Sequence, residues 1–175
     1  ADIVFGPGAN TDYNIIMAED HQIFHVGRIT LQALHTPGHT LESTCYLLRD
    51  EKGKAHALFT GDTLFSLGCG RVFEGTHRDM FKSLNKIKSL PLNTQIYCGH
   101  EYTKSNLNFC LSYDKNNIAL KKKASDIEQK LKKGLPTIPT TLGEEIKTNI
   151  FLRCDDPGIK KALNLEVSHE EEIFS

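Results

Sequence analysis

Three short strings in this 175-residue chain place a glycine immediately before a side chain able to bind a metal ion: Thr36-Pro37-Gly38-His39, Thr60-Gly61-Asp62 and Cys98-Gly99-His100. Each follows an apolar, strand-like run. Glycine in that position lets the backbone turn sharply or approach another group closely, because it carries no Cβ. Strand ends are also where α/β proteins assemble sites on a rigid scaffold. Two imidazoles and a carboxylate suit Zn²⁺, Fe or Mn²⁺. The three strings lie far apart in the chain, so nothing local makes them meet. Each has an ordinary reading as well: His39 as a turn residue, Asp62 as a cap or Asx-turn, His100 as a loop histidine. Repetition of one Gly–ligand step is what favours a shared metal site.

Other reactive side chains carry less. His21, His25, His56, His77 and His169 stand in polar or alternating contexts and read as surface residues. His35, four residues before His39, either supports a ligand or is simply solvated. The glycine-rich stretch 68–76 is not a P-loop, since no Gly-Lys-Ser/Thr follows. It either presents backbone N–H groups and Arg71 to an anion or makes a tight connection between strand and helix. Cys69 has no histidine at a usable position to activate it and is rejected as a nucleophile. The five cysteines (Cys45, Cys69, Cys98, Cys110 and Cys154) are an odd number with no C-x-x-C pair. That argues against a disulfide framework or a cysteine zinc knuckle and fits reduced thiols in a cytoplasm.

The elements that must position these residues are strands first. Residues 23–26 lead to a Gly27-Arg28 turn, after which Ile29, Leu31 and Ala33 alternate with Thr30, Gln32 and Leu34 at the period of two of a strand. Segments 45–49 and 55–60 are further strands, joined by a hairpin at Asp50-Glu51-Lys52-Gly53. Residues 61–75 read as a glycine-rich loop. Thr76 and Asp79 have the spacing of a capping box, and Met80, Phe81, Leu84 and Ile87 share one face of the helix that follows. Pro91 ends it, and 94–98 is a short strand. From about Thr103 the pattern is helical. Asn106, Leu107 and Cys110 share a face of one helix; Ile118, Ile127 and Leu131 belong to a longer one that stops at Gly134. Its lysines (Lys121, Lys122, Lys123, Lys130, Lys132 and Lys133) read as a solvated face, or as an attractor for an anionic substrate. Beyond Pro136 come short turns and helical pieces, ending near Glu170-Glu171-Glu172.

With 39% hydrophobic and 25% charged residues, the composition is that of a globular protein. A formal net charge of −1 provides no electrostatic footprint for nucleic acid. No apolar run approaches the roughly 18 residues that a membrane span needs. The opening residues have neither the basic nor the apolar region of a signal peptide. They also lack an initiator Met, which suggests a processed or incomplete chain.

His35-Thr36-Pro37-Gly38-His39-Thr40, Gly61-Asp62-Thr63-Leu64-Phe65, Gly68-Cys69-Gly70-Arg71-Val72-Phe73-Glu74-Gly75-Thr76 and Tyr97-Cys98-Gly99-His100-Glu101-Tyr102-Thr103 occur in this order. Together they resemble the hydroxyacylglutathione hydrolase (glyoxalase II) branch of the metallo-β-lactamase fold. Segments 139–145 and 149–153 are similar to its C-terminal helical region. The resemblance implies an α/β (α+β) fold class: part of an αββα sandwich over residues 1–103, then a small α-helical domain over 104–175. It implies hydrolysis of an S-(2-hydroxyacyl)glutathione, S-D-lactoylglutathione, to glutathione and D-lactate in methylglyoxal detoxification. A hydroxide held between two divalent ions would do this, with Zn²⁺ as the first expectation and Fe or Mn²⁺ as alternatives. By the same resemblance His39 would ligate the first metal, Asp62 would bridge both and His100 would ligate the second. Arg71, Val72, Phe73, His100, Glu101 and Tyr102 would form the substrate site. Phe73 stands where some members carry Tyr. The expected partner is a glutathione thioester, with neither nucleic acid nor membrane, for a cytoplasmic monomer.

The family takes four further ligands from an upstream T-H-x-H-x-D-H motif, and no such string occurs in this chain. The family's basic residues near the C-terminus, which grip glutathione, have no match before Phe174-Ser175. The expectation is a partial sequence of a hydrolase, cut at both ends. Three ligands cannot fill two coordination spheres, so the chain alone is expected to bind no stoichiometric metal. The rival readings are a persulfide dioxygenase or lactonase on the same fold, and an inert remnant or binding module. Exposed sheet edges weigh against a stable remnant.

Overall fold

Alternating apolar residues separated by tight turns build the first two thirds of the chain. The computed structural model describes residues 3–8, 12, 15–165 and 168–174; Ala1, Asp2 and Ser175, on which the readings of the two ends partly rest, lie outside them. The strands are β1 (Val4–Phe5), β2 (Ile16–Met17), β3 (Ile23–Val26), β4 (Ile29–His35), β5 (Thr44–Arg49), β6 (Ala55–Gly61), β7 (Leu64–Phe65), β8 (Gly68–Cys69), β9 (Gln95–Cys98) and β10 (Thr140–Thr141). The helices are α1 (His77–Lys88), α2 (Thr103–Tyr113), α3 (Ile118–Lys132), α4 (Leu142–Thr148), α5 (Pro157–Ala162) and α6 (Glu170–Phe174).

Six strands form one mixed sheet in the order β10-β9-β6-β5-β4-β3. β4 and β6 both run antiparallel to β5, and β9 runs parallel to β6. β4, β6 and β9 therefore point the same way, and their C-terminal ends lie at one edge of the sheet. That direction rule, which no local sequence pattern contains, is what brings three remote strings together.

Helix α1 forms as its spacing predicts. Thr76 accepts from the Asp79 N–H, and the Asp79 carboxylate takes the Thr76 N–H in return. Met80, Leu84 and Ile87 on its inner face are buried in one cluster with Leu34, Cys45, Leu47, Leu58 and Ile96 from the sheet. Leu142, Leu152 and Phe174 from the later helical pieces join that cluster. A second cluster packs Leu107, Cys110, Leu120, Ile127, Ile150 and Ile159 around Leu67.

The structure differs from the sequence reading in several places, among them β10, a strand within the stretch read as turns and helical pieces. Segment 61–75 is not all loop, because it contains the β7–β8 hairpin; two-residue strands are too short to show a period. On α3 the buried positions are Leu120 and Ile127, whereas Ile118 is 82% exposed and Leu131 is also exposed. The stripe facing the core runs through 120, 124 and 127, and the apolar residues at the two helix ends fall off it. Along β4 burial does not alternate: residues 29–32 are half-buried and Ala33 and Leu34 are both buried.

Candidate active site

Each of the three strings ends a strand, and each is held by local contacts. Thr36, following β4, is fully buried; its hydroxyl meets Thr63 Oγ1 at 3.3 Å and Cys45 Sγ at 3.2 Å. The turn before His39 is thereby tied to the turn after Asp62. Gly61 pairs with Cys98 across β6 and β9, and the Gly99 N–H donates to the Gly61 carbonyl at 2.8 Å. Two glycines are required for close approach rather than for flexibility. A Cβ on Gly99 would stand 2.6 Å from Asp62 Oδ1, and one on Gly70 would stand 1.8 Å from the Asp62 carbonyl oxygen.

The result is convergence. His39 Nε2 and His100 Nε2 each lie 3.5 Å from Asp62 Oδ2. His39 Nδ1 is 2.8 Å from the Arg71 carbonyl oxygen, an acceptor, so the ring donates there and turns Nε2 toward the carboxylate. Asp62 Oδ1 is buried with no hydrogen-bond partner. A buried carboxylate oxygen without a partner calls for a positive group.

These features fit part of a metal centre: three donors of the right chemistry, one histidine oriented through its second nitrogen, and an unpaired carboxylate oxygen. Among the described residues, no group of three or more His, Cys, Asp or Glu side chains is spread around a common point so as to hold a metal ion. The trio closes on itself instead.

Around the trio is a cleft of about 620 Å³ lined by His39, Asp62, Phe65, Cys69, Gly70, Arg71, Phe73, His100, Tyr102, Ser105 and Asn106. Its walls are aromatic. Tyr102 stacks on His100 with ring centres 5.0 Å apart, Phe65 meets Tyr102 edge-on at 5.4 Å, and Phe73 lies 4.9 Å from the His39 ring.

Of the six residues expected at the substrate site, Arg71, Phe73, His100 and Tyr102 border the cleft, and two do not. Val72 is packed against the main core cluster instead. Glu101 turns away: its Oε1 accepts from the Thr137 N–H, from the Thr137 hydroxyl at 2.7 Å and from the Ile138 N–H at 3.3 Å. Those hydrogen bonds, the Thr137 hydroxyl first, hold its carboxyl below the usual range. Val72 and Glu101 thus do not share the aspect of their neighbours. In the stretch 68–76, three amides are taken up within the chain. The N–H groups of Phe73 and Glu74 donate to the His39 carbonyl and that of Gly75 to Gly38. His35 does not reach the His39 ring; its Nε2 meets the Leu41 carbonyl at 2.9 Å and braces the connecting loop. The five remaining histidines are exposed, as expected. Phe65, Ser105 and Asn106 line the cleft without having been picked out for it in the sequence. Ser105 and Asn106 sit on the first turn of α2, and only the docking of that helix turns them inward.

A model of the metallo-β-lactamase superfamily matches residues 2–100, and a model described as the hydroxyacylglutathione hydrolase C-terminus matches 101–175. A hydroxyacylglutathione hydrolase of Bartonella tribocorum is 46% identical over 178 residues, covering 99% of this chain and 68% of the relative. The chain belongs to the hydroxyacylglutathione hydrolase family. The hydroxyacylglutathione hydrolase of Pelagibacter ubique is 51% identical over 138 residues, covering 79% of this chain and 56% of that protein. This family member thus spans well under two thirds of that relative's length. Its fold is the metallo-β-lactamase fold, with the hydrolase family's helical region following. A crystal structure of a metallo-β-lactamase from Staphylococcus aureus superposes with a TM-score of 0.64 at 27% identity, covering 99% of this chain and 43% of that one. The superfamily is typically metal-dependent, in keeping with the donor set at Asp62. All five cysteines of this family member are free thiols. No helix among the described residues is long and apolar enough to cross a membrane.

Proposed function

We propose that this chain carries one side of the active cleft of a metal-dependent thioesterase that hydrolyses S-(2-hydroxyacyl)glutathione, with S-D-lactoylglutathione as substrate and glutathione and D-lactate as products. The observation that supports it is the meeting of His39 and His100 on one carboxylate oxygen of Asp62, in a chain of this family. His39, Asp62 and His100 would hold divalent cations, Zn²⁺ in the first place with Fe or Mn²⁺ as alternatives. A cation bound there acidifies water toward neutrality and polarises a carbonyl oxygen.

The rest is done by the chain's own groups. The Arg71 carbonyl holds the His39 ring so that Nε2 keeps its bearing on Asp62. Phe65, Phe73 and Tyr102 provide apolar walls against which the acyl group can pack. The Arg71 guanidinium, exposed at the rim, suits a carboxylate of the glutathione moiety. A thiolate leaves readily because a thiol is a far stronger acid than an alcohol, so no serine or cysteine nucleophile is needed. Val72 and Glu101 support the walls from behind. We place the division between the sheet-bearing part and the helical part at residues 103 and 104, and the protein in the cytoplasm as a monomer.

The test is Asp62→Ala in the complete gene product, with metal content and hydrolysis of S-D-lactoylglutathione measured together. Loss of both is the expected result. Normal metal content with full turnover sinks the assignment, and so does a preference of the parent enzyme for a persulfide or a lactone over the thioester.

A further inference from the structure

Four backbone groups at the tip of the β7–β8 hairpin are gripped by side chains from the helical half of the chain. The Ser66 carbonyl accepts from Asn106 Nδ2 at 3.0 Å, and the Leu67 N–H donates to Glu145 Oε2 at 2.8 Å. The Leu67 carbonyl accepts from the Cys110 thiol at 3.2 Å, and the Gly68 carbonyl from Asn149 Nδ2 at 3.0 Å. Leu67 has φ +61°, a left-handed conformation that a leucine keeps only where its surroundings over-determine it. Its side chain is fully buried in the cluster formed by the helices.

Glu145 stands at the centre of this grip, and it is completely buried. One carboxylate oxygen takes the Leu67 N–H and, at 3.1 Å, Asn149 Nδ2. The other takes the Lys123 ammonium and, at 2.9 Å, the Thr140 hydroxyl. A buried ion pair is poor at adding stability, and apolar side chains of similar volume would pack the helices as well or better. An apolar side chain has no acceptor for the Leu67 N–H. That bond aims the two strands from which Phe65 and Cys69 line the cleft, and Phe65 lies edge-on to Tyr102 at 5.4 Å and 6.2 Å from His100.

We infer that Glu145 is a positioning residue for the cleft: through Leu67 it sets the hairpin wall, Phe65 above all, against His100 and Tyr102. Its relevance to catalysis rests on the thioesterase reading above, but the decisive measurements need no turnover.

Two variants test it. Glu145→Gln replaces one acceptor oxygen with a donor. The paired change Glu145→Leu with Lys123→Met removes both charges at similar volume, which buried pairs tolerate, and so keeps a folded protein should the glutamine variant unfold. In either variant, amide exchange of residues 65–69 is expected to speed up at least about tenfold more than that of α1 amides, a local rather than a global opening. The Tyr102 ring signals in the NMR spectrum should shift as the Phe65 edge moves. In the complete enzyme KM for the thioester should rise several-fold while kcat holds within about twofold, as for lost binding geometry. A uniform loss of protection with the Tyr102 signals in place, or no change in a folded variant, overturns the assignment. Absence of thioester hydrolysis in the parent enzyme counts against the proposed reaction alone and leaves exchange and Tyr102 to decide the role of Glu145.

Discussion

His39 Nε2 lies 3.5 Å from Asp62 Oδ2 while the Arg71 carbonyl claims the other imidazole nitrogen. The stretch 68–76 is therefore part of the site through its backbone. Its carbonyl at Arg71 orients a ring, and its amides at Phe73 and Glu74 anchor the His39 carbonyl. The loop grips His39 from two sides while the Arg71 side chain stays free at the rim.

Gly99→Ala tests how tightly that arrangement is built. The new methyl would stand 2.6 Å from Asp62 Oδ1 and 3.2 Å from the Gly61 carbonyl oxygen, and the carboxylate has to move. Displacement on the scale of 1 Å at a reacting centre costs about 100-fold in rate, and overpacking costs about 1–3 kcal/mol of stability. Steady-state kinetics of the complete enzyme and urea unfolding measure the two. Wild-type kcat/KM in this variant would show that Asp62 does not need its present position.

Glu101→Gln separates a structural carboxylate from a catalytic one. The Glu101 carboxyl is held below its ordinary 4.5 by the Thr137 hydroxyl and the 137 and 138 amides. A depressed carboxyl contributes stability that is present above about pH 4.5 and is lost as pH falls through the lower folded value. The glutamine variant should therefore melt below the parent at pH 7, and the gap should close as both are titrated toward pH 3. A gap that stays constant over that range contradicts the reading.

The cysteines should be poor nucleophiles while the chain is folded. Burial pushes Cys45 up to about 11 and Cys69 up to about 12, and only thiolate reacts. At pH 8, Cys69 holds roughly a thousandfold less thiolate than a free cysteine of ordinary pKa. Iodoacetamide labelling followed by mass spectrometry should find Cys98, partly buried as Cys69 is but not pushed as far up, modified first, and Cys45 and Cys69 modified only after unfolding in urea. Rapid labelling of Cys69 in the folded chain would reopen the nucleophile reading rejected from the sequence.

Thr76→Ala removes one half of the capping box on α1. The expected cost is about 1 kcal/mol, read as a lower urea midpoint with an unchanged slope. Because Gly75 and Phe73 just before the cap bond to the Gly38 and His39 carbonyls, fraying of this end should also loosen the His39 turn. Faster exchange of the 73–75 amides would show it, and full protection there would mean the loop is held without the cap.

Local chemistry was legible in the residues themselves. A Thr-x-x-Asp spacing before an apolar run favours a capped helix, period-two alternation favours strands, and a glycine before each candidate ligand announces a sharp turn or a tight approach. The Thr76 cap, the strands read at 23–26, 29–34, 45–49 and 55–60, and the turns that carry the three ligand-like positions all follow from interactions within a few residues. Direction and facing did not. That His39, Asp62 and His100 share one edge depends on β4 and β6 both opposing β5 while β9 runs with β6, which is settled by hydrogen bonds between strands remote in sequence. That Glu101 leaves the cleft while Tyr102 enters it, and that Ser105 and Asn106 line it, depends on where α2 docks. Near-neighbour forces repeat in any chain with the same short string, whereas long-range pairing and packing exist only once the whole sheet and its helices have closed on each other.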